Sequence, residues 1–181
     1  MKTVINHARI ITGTDQIIED GSLQFEDGRI TAVSDGPLDG DRVVDGTGKT
    51  VIPGLIDCHV HLGMEAPGRG FAMKAANDTE LGARIMEQCL EFPRYGVTCV
   101  RNAGTDNDGD LLARNLFQRE EFPGIRILAC GTPISITGGH GNYAEGFDTA
   151  DGVLEETRRK IKQGMDVMKF VVSGGMGTRF S

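Results

Sequence analysis

Two histidines separated by a single residue are the strongest chemical signal in this sequence. Asp57, His59 and His61 occupy alternate positions, so on a β-strand their side chains project from the same face. Two adjacent imidazoles can bind a metal ion, and a carboxylate two residues earlier can orient a ligand. Such a pair also arises by chance on strands. The apolar segment 51–56 places this one at the carboxyl end of a strand, where barrel enzymes carry their active sites.

The elements that must position these residues change character near residue 50. Before it, segments 22–26 and 29–33 flank an Asp27-Gly28 turn, a pattern that predicts a hairpin in a small antiparallel sheet. After it, apolar strand candidates alternate with helical segments, as in parallel βα units. Four units begin, with predicted strands at 51–62, 97–100, 125–130 and 167–172 and predicted helices around 78–92, 110–119 and 149–163.

The third predicted helix carries two patterns. Its apolar face consists of Val153, Leu154, Thr157 and Ile161. Acidic residues at 155 and 156 precede basic residues at 159 and 160 by four positions, a spacing that stabilises a helix by side-chain pairing.

Charge and composition exclude several classes of protein. The formal net charge is -7 and no Lys/Arg-rich stripe is present, which argues against nucleic-acid binding. The four cysteines have no paired spacing, so neither a zinc ribbon nor a redox motif is indicated. The first residues do not resemble a signal peptide, and no apolar run reaches membrane-spanning length. We therefore expect a cytoplasmic protein that does not bind membranes.

Three segments resemble the amidohydrolase superfamily, in particular its prolidase-like and imidazolonepropionase-like branch. Residues 53–62, Pro-Gly-Leu-Ile-Asp-Cys-His-Val-His-Leu, are similar to its first-strand signature, and 96–104 and 164–170 are similar to its second and fourth strands. The resemblance implies an α/β fold in which a (β/α)8 TIM barrel is flanked by a small β-sandwich. Residues 1–52 then supply N-terminal strands of the sandwich, and 53–181 the first four βα units of the barrel.

Lys169 gains a role through this resemblance. In binuclear members of the family, a lysine at the end of the fourth strand reacts with carbon dioxide and bridges two divalent cations. The resemblance therefore implies His59, His61 and Lys169 as metal ligands, Lys169 as a catalytic carbamate, and Zn²⁺ as the cation. An apolar setting favours the neutral amine that this reaction requires. A salt bridge at a strand end is the alternative role for Lys169.

Substrate contacts are implied for residues in the loops. The segment 137–140, Thr-Gly-Gly-His, is similar to one that places a histidine over the substrate, so His140 is expected to contact a substrate carbonyl or carboxylate. Arg101 and Tyr143 are weaker candidates, since a strand-end arginine and a packed loop tyrosine would look the same. Related chains often carry aspartate at the position of Asn102, which leaves the role of that residue open.

The resemblance implies hydrolysis of an amide or peptide bond by a metal-activated hydroxide, with dipeptides or N-acyl amino acids as substrates. A cyclic-amide hydrolase of the imidazolonepropionase or hydantoinase kind is the alternative enzyme. A deaminase fits less well, because such enzymes generally use one metal and no carbamate. A metal-free scaffold on the same fold is the non-enzymatic alternative.

Chain length adds an expectation about assembly. A complete barrel needs about 250 residues, and this chain has 181. We therefore expect these residues to be inactive alone, and expect a homo-oligomer or completion of the barrel by a missing C-terminal half.

Overall fold

The structure, a computed structural model, describes residues 1–65, 75–119, 124–140 and 146–174. The chain divides into two compact units, Met1–Pro53 and Gly54–Ser181, and each unit contains one sheet. Within the described ranges, none of the helices has both the length and the apolar character needed to cross a membrane.

The first unit is a mixed five-stranded sheet. Its strands are β1 (Thr3–Ile11), β2 (Ile17–Glu26), β3 (Arg29–Ser34), β4 (Arg42–Asp45) and β5 (Thr50–Val51). The first three pair antiparallel, and Asp27 and Gly28 form the predicted turn with φ angles of 49° and 72°. β4 and β5 instead run parallel to β1. The predicted antiparallel sheet is therefore wrong for these two strands.

Asn6, within β1, explains how the chain returns for this parallel pairing. Its side-chain oxygen accepts a hydrogen bond from the Leu38 N–H, and its side-chain nitrogen donates to the Leu38 carbonyl, both at 3.1 Å. The contact holds the connection that leads into β4. It joins residues 32 apart in sequence, so no local pattern predicts it.

The second unit alternates parallel strands with helices. Its elements are β6 (Leu55–Val60), α1 (Asp78–Glu91), β7 (Val97–Asn102), α2 (Gly109–Phe117), β8 (Arg126–Leu128) and α3 (Ala150–Gln163), with short 3-10 turns at Phe92–Tyr95 and Asp106–Asp108. The strand order is β6-β7-β8, and both pairings are parallel. The predicted fourth strand is reduced to one parallel bridge between Ile134 and Phe170.

The core of the second unit is apolar. Its buried members are Leu62, Leu81, Ile85, Cys89, Val100, Ala113, Ile125 and Ile127. On α1 three of them recur every four residues and so form one face of the helix. The caps fix where two helices begin: Asn77 accepts the Glu80 N–H at 3.0 Å, and Thr149 accepts the Gly152 N–H at 3.1 Å.

The helix α3 buries a charged face, so the predicted apolar face is wrong. Leu154 and Ile161 are 45% and 61% exposed, whereas Glu156 and Lys160 are 9% and 1% exposed. The Lys160 Nζ lies 3.4 Å from an Asp108 oxygen and 3.7 Å from a Glu156 oxygen. Periodicity missed this face because a charged residue can be buried when ion pairs and hydrogen bonds compensate its charge.

Candidate metal centre

The histidine pair lies at the carboxyl end of β6. His59 is exposed and His61, directly after the strand, is half-buried. Their ring centroids are 5.3 Å apart with 61° between the ring planes, so the two side chains lie on the same side of the strand. Two imidazoles that share a tetrahedral zinc ion at Zn–N distances of about 2 Å have centroids about 5 Å apart. The spacing therefore fits two ligands of one metal ion.

A backbone carbonyl sets the tautomer of His61. Its Nδ1 lies 3.1 Å from the carbonyl oxygen of Gly104. Because a carbonyl oxygen can only accept, Nδ1 carries the proton and donates it, which leaves the lone pair on Nε2. Metal-binding histidines commonly have their other ring nitrogen oriented in this way.

The electrostatic environment favours the neutral form of His61. Burial lowers the pKa of His61 below its ordinary value, and the hydrogen bond to Gly104 raises that pKa in part. The positive charges that His59, Lys169 and His140 can carry each lower the pKa again. His61 is therefore within electrostatic range of three other candidate site residues, and in the neutral form its Nε2 is available as a ligand.

Gly104 is required at its position next to His61. Its φ angle is +140°, a conformation that residues with a Cβ rarely adopt. A Cβ there would lie 2.6 Å from a Pro133 carbon and 3.5 Å from His61 Nδ1. The absence of a side chain therefore allows the carbonyl to approach the imidazole.

Asp57 and Arg101 make backbone contacts beside the pair. The Asp57 carboxylate accepts the backbone N–H of His59 at 3.1 Å. This hydrogen bond orients the main chain of His59 and not its imidazole ring. Arg101 Nε donates to the carbonyl of Cys58 at 2.7 Å. This bond uses one of the five guanidinium N–H donors and fastens Arg101 to the strand that carries the histidines.

Lys169 follows α3 and lies beside the segment after β8. Its carbonyl accepts the Ile134 N–H at 2.9 Å, and the residue is half-buried. Cys130 is a second neighbour: burial and the charge of Asp110 raise the pKa of its thiol, while a hydrogen bond with the Lys169 backbone and nearby lysine charges lower it in part.

His140 lies in the loop after β8 and is exposed. Three residues before His140, Thr137 is held by Asp148: the Thr137 N–H and hydroxyl donate to the two Asp148 oxygens at 2.8 and 2.7 Å. Tyr143 lies outside the described residues, so its predicted substrate contact stays a prediction.

Two elements of the site have roles that the sequence did not predict. One is the Gly104 carbonyl, because a backbone acceptor leaves no pattern beyond the glycine itself. The other is Asn102, which is 1% exposed and whose Oδ1 accepts the Leu62 N–H at 3.0 Å. The sequence singled out Asn102 only as a departure from related chains, and its place at the end of the Val97–Asn102 strand puts it at the same sheet edge as the histidines.

Comparison with known proteins assigns the family. A profile described as Amidohydrolase family matches residues 50–180. The chain belongs to the amidohydrolase family. The resemblance inferred from residues 53–62 is thus confirmed.

The amidohydrolase chain is similar to proteins with different activities. The 5'-deoxyadenosine deaminase of Methanothermobacter thermautotrophicus is 46% identical over 180 aligned positions, covering 87% of this chain and 39% of that protein. A Xaa-Pro dipeptidase with bound methionine matches with a TM-score of 0.84 and 25% identity, covering 98% of this chain and 48% of that chain. A prolidase complexed with N-methylphosphonate-L-proline matches with a TM-score of 0.80 and 25% identity, covering 100% and 49%.

These matches confirm the predicted fold, the first half of a (β/α)8 barrel with part of a β-sandwich. The chain spans about half the length of the solved structures it matches. In the described part of the chain, no three His, Cys, Asp or Glu side chains are grouped so that they could hold a metal ion.

Proposed function

We propose that this chain carries the first ligands of a two-metal site in a protein that hydrolyses C–N bonds of dipeptides or N-acyl amino acids. His59, His61 and Lys169 would hold the metals. The observation that carries the proposal is the His61–Gly104 hydrogen bond beside the His59 ring, because it leaves Nε2 as the ligand atom. Two divalent cations, Zn²⁺ in the first instance, supply Lewis acidity and lower the pKa of a bound water.

Lys169 enters this site as a carbamate. Its neutral ε-amine attacks carbon dioxide, an N–C bond forms, and one proton leaves to water. The product is an anion with two oxygens, which suits it to two metals. Lys169 is half-buried, and its backbone lies beside the segment after β8.

Substrate recognition is assigned to the loop side of the site. The charge that His140 can carry lowers the pKa of His61, so the two residues are within electrostatic range of each other. In our proposal its ring donates a hydrogen bond to a carbonyl or carboxylate of the substrate. Arg101 and Tyr143 would add contacts to the same group.

Two substrate classes have support. A dipeptidase and a prolidase are similar over nearly the whole chain, which favours dipeptides. The 46% identity to 5'-deoxyadenosine deaminase favours deamination of an adenosine-type nucleoside. Both reactions hydrolyse a C–N bond. The predicted Lys169 carbamate distinguishes the two activities, because deaminases of this family generally lack it.

A substrate panel tests the assignment. The full-length protein that contains this chain, loaded with zinc in bicarbonate buffer, is assayed against Xaa-Pro dipeptides, N-acyl amino acids, a hydantoin and 5'-deoxyadenosine. We expect turnover of the first two classes. Turnover of 5'-deoxyadenosine alone would replace the proposal with deamination, and turnover of the hydantoin alone would favour a cyclic-amide hydrolase. If the protein bound no metal and turned over none of the substrates, the alternative of a metal-free, non-catalytic scaffold would be favoured.

Substitution of Lys169 tests the carbamate directly. Lys169→Arg keeps the charge but cannot form a carbamate, so activity should fall to background. In Lys169→Ala, added short carboxylic acids should restore part of the activity by replacing the carbamate oxygens. Lys162→Arg, on an exposed position of α3, is the matched control and should keep full activity. Full activity in Lys169→Arg would refute the carbamate.

A further inference from the structure

A buried polar network lies directly behind the histidine pair. Asn102, at the end of β7, is 1% exposed, Thr105 is 3% exposed, and Asp110 on α2 is fully buried. Asn102 Nδ2 lies 2.8 Å from Thr105 Oγ and 2.6 Å from Asp110 Oδ2. The three side chains therefore form one connected group.

The donors and acceptors of this network are fully determined. The Leu62 N–H can only donate, so the atom it contacts at 3.0 Å is the oxygen of the Asn102 amide. Both Asn102 N–H groups then donate, one to Thr105 and one to Asp110. The Thr105 hydroxyl donates its own proton to the Leu62 carbonyl at 2.9 Å. Both backbone polar groups of the residue after His61 are thus bound by this network.

The network also joins three strand ends. Asp110 accepts the N–H of Cys130 at 2.7 Å and the N–H of Gly131 at 3.0 Å, both just after β8. Gly104, whose carbonyl orients His61, lies between Asn102 and Thr105 in sequence. The ends of β6, β7 and β8 are therefore held to one buried carboxylate.

We propose that Asn102, Thr105 and Asp110 are positioning residues that fix the imidazole of His61 for metal binding. This inference rests on the proposed metal site. The network fixes the His61 main chain through Leu62 and the His61 ring through Gly104, so it sets both position and tautomer. A metal ligand needs placement to within about 0.5 Å. Removal of such outer partners commonly weakens metal affinity about 10- to 100-fold.

A change of the Asn102 amide to a carboxylate tests the proposal. Asn102→Asp places two carboxylates face to face, removes the donor to Thr105 and should weaken Zn²⁺ affinity about 10- to 100-fold. The opposite change at Asp110 does not rescue it, because Asp110 Oδ2 accepts from Asn102, Cys130 and Gly131 together.

The readouts separate positioning from stability. Zn²⁺ affinity is measured on folded protein by chelator competition, and the visible spectrum of Co²⁺-loaded protein reports ligand geometry. The matched control is Asn115→Asp, an exposed site on the same helix α2, which should change neither. Thr105→Val, which keeps the shape and removes the hydroxyl, provides a second variant if Asn102→Asp does not fold.

Two results would overturn the inference in distinguishable ways. If Asn102→Asp or Thr105→Val lowers the unfolding temperature but keeps wild-type Zn²⁺ affinity and Co²⁺ spectrum, the network is only structural and the metal site stands. If the wild-type protein binds neither Zn²⁺ nor Co²⁺, the proposed function fails and the positioning role falls with it.

Discussion

At the scale of single residues, the candidate site depends on Gly104, through its carbonyl oxygen and through its lack of a side chain. The Gly104 oxygen fixes the His61 tautomer, and the glycine backbone at φ +140° brings that oxygen within 3.1 Å of Nδ1. A histidine without such a partner populates both tautomers and rotates more freely. The protein therefore prepares His61 for its proposed ligand role before any metal binds.

Gly104→Ala should damage this arrangement. A Cβ 2.6 Å from Pro133 forces the backbone to shift, and the strained φ angle adds a cost of about 1–3 kcal/mol. We expect lower unfolding free energy, measured by denaturant titration, and weaker Zn²⁺ binding.

A glycine-to-alanine substitution in α1 should raise the unfolding free energy instead of lowering it. Gly82 is exposed and helical, with open space around its Cβ position, so Gly82→Ala should raise the unfolding free energy by about 0.4–1 kcal/mol. Unchanged stability and unchanged Zn²⁺ affinity in Gly104→Ala would contradict the role given to that backbone.

At the scale of elements, α3 is attached through charges. Lys160 donates to the Cys130 carbonyl at 3.3 Å, and Arg159 lies 2.9 Å from an Asp108 oxygen. Burial raises the pKa of Asp108, but hydrogen bonds from Thr132 and Arg159 and the charges of Lys160 and Arg159 outweigh it, so the pKa is lower than usual.

Stability should therefore depend on pH through Asp108. A carboxyl whose pKa is lower in the folded state stabilises it above the unfolded pKa, about 3.9, and loses this contribution as the pH falls through the folded value. Asp108→Asn should lower the unfolding free energy at pH 7 by about 1–3 kcal/mol. Below about pH 4 the difference from the wild type should shrink.

Glu155→Gln, an exposed carboxylate on α3, is the control and should stay within about 0.5 kcal/mol. Denaturant titrations between pH 3 and pH 7 measure all three proteins. A constant difference between Asp108→Asn and wild type across that range would show that the carboxylate does not contribute through its charge.

The sequence predicted elements well where local patterns encode them. The hairpin of β2 and β3 and the three helices follow from turn residues, caps and periodicity. The parallel pairing of β4 and β5 with β1 does not follow from a local pattern. The Asn6–Leu38 contact that supports it joins residues far apart in the sequence. The charged face of α3 was missed since burial of Lys160 depends on Asp108, which is 52 residues away.

At the scale of the whole molecule, the family and the barrel could be predicted from residues 53–62, because the strand signature and the alternation of strands and helices are both local. The carboxyl ends of parallel strands share one edge, so the sequence also predicts where the site lies, and that placement stays a prediction. The network from Asn102 to Asp110 could not be predicted from the sequence, because it depends on how the ends of three strands meet in the fold.

Elemental analysis of the purified full-length protein by mass spectrometry tests the central claim, that His59 and His61 are metal ligands. We expect about two metals per chain in the wild type and the loss of at least one in His59→Ala/His61→Ala. His140→Ala should keep both metals, since His140 is assigned to substrate, and His7→Asn, at an exposed histidine in β1, should also keep both. An unchanged metal content in the folded His59→Ala/His61→Ala variant would contradict the account.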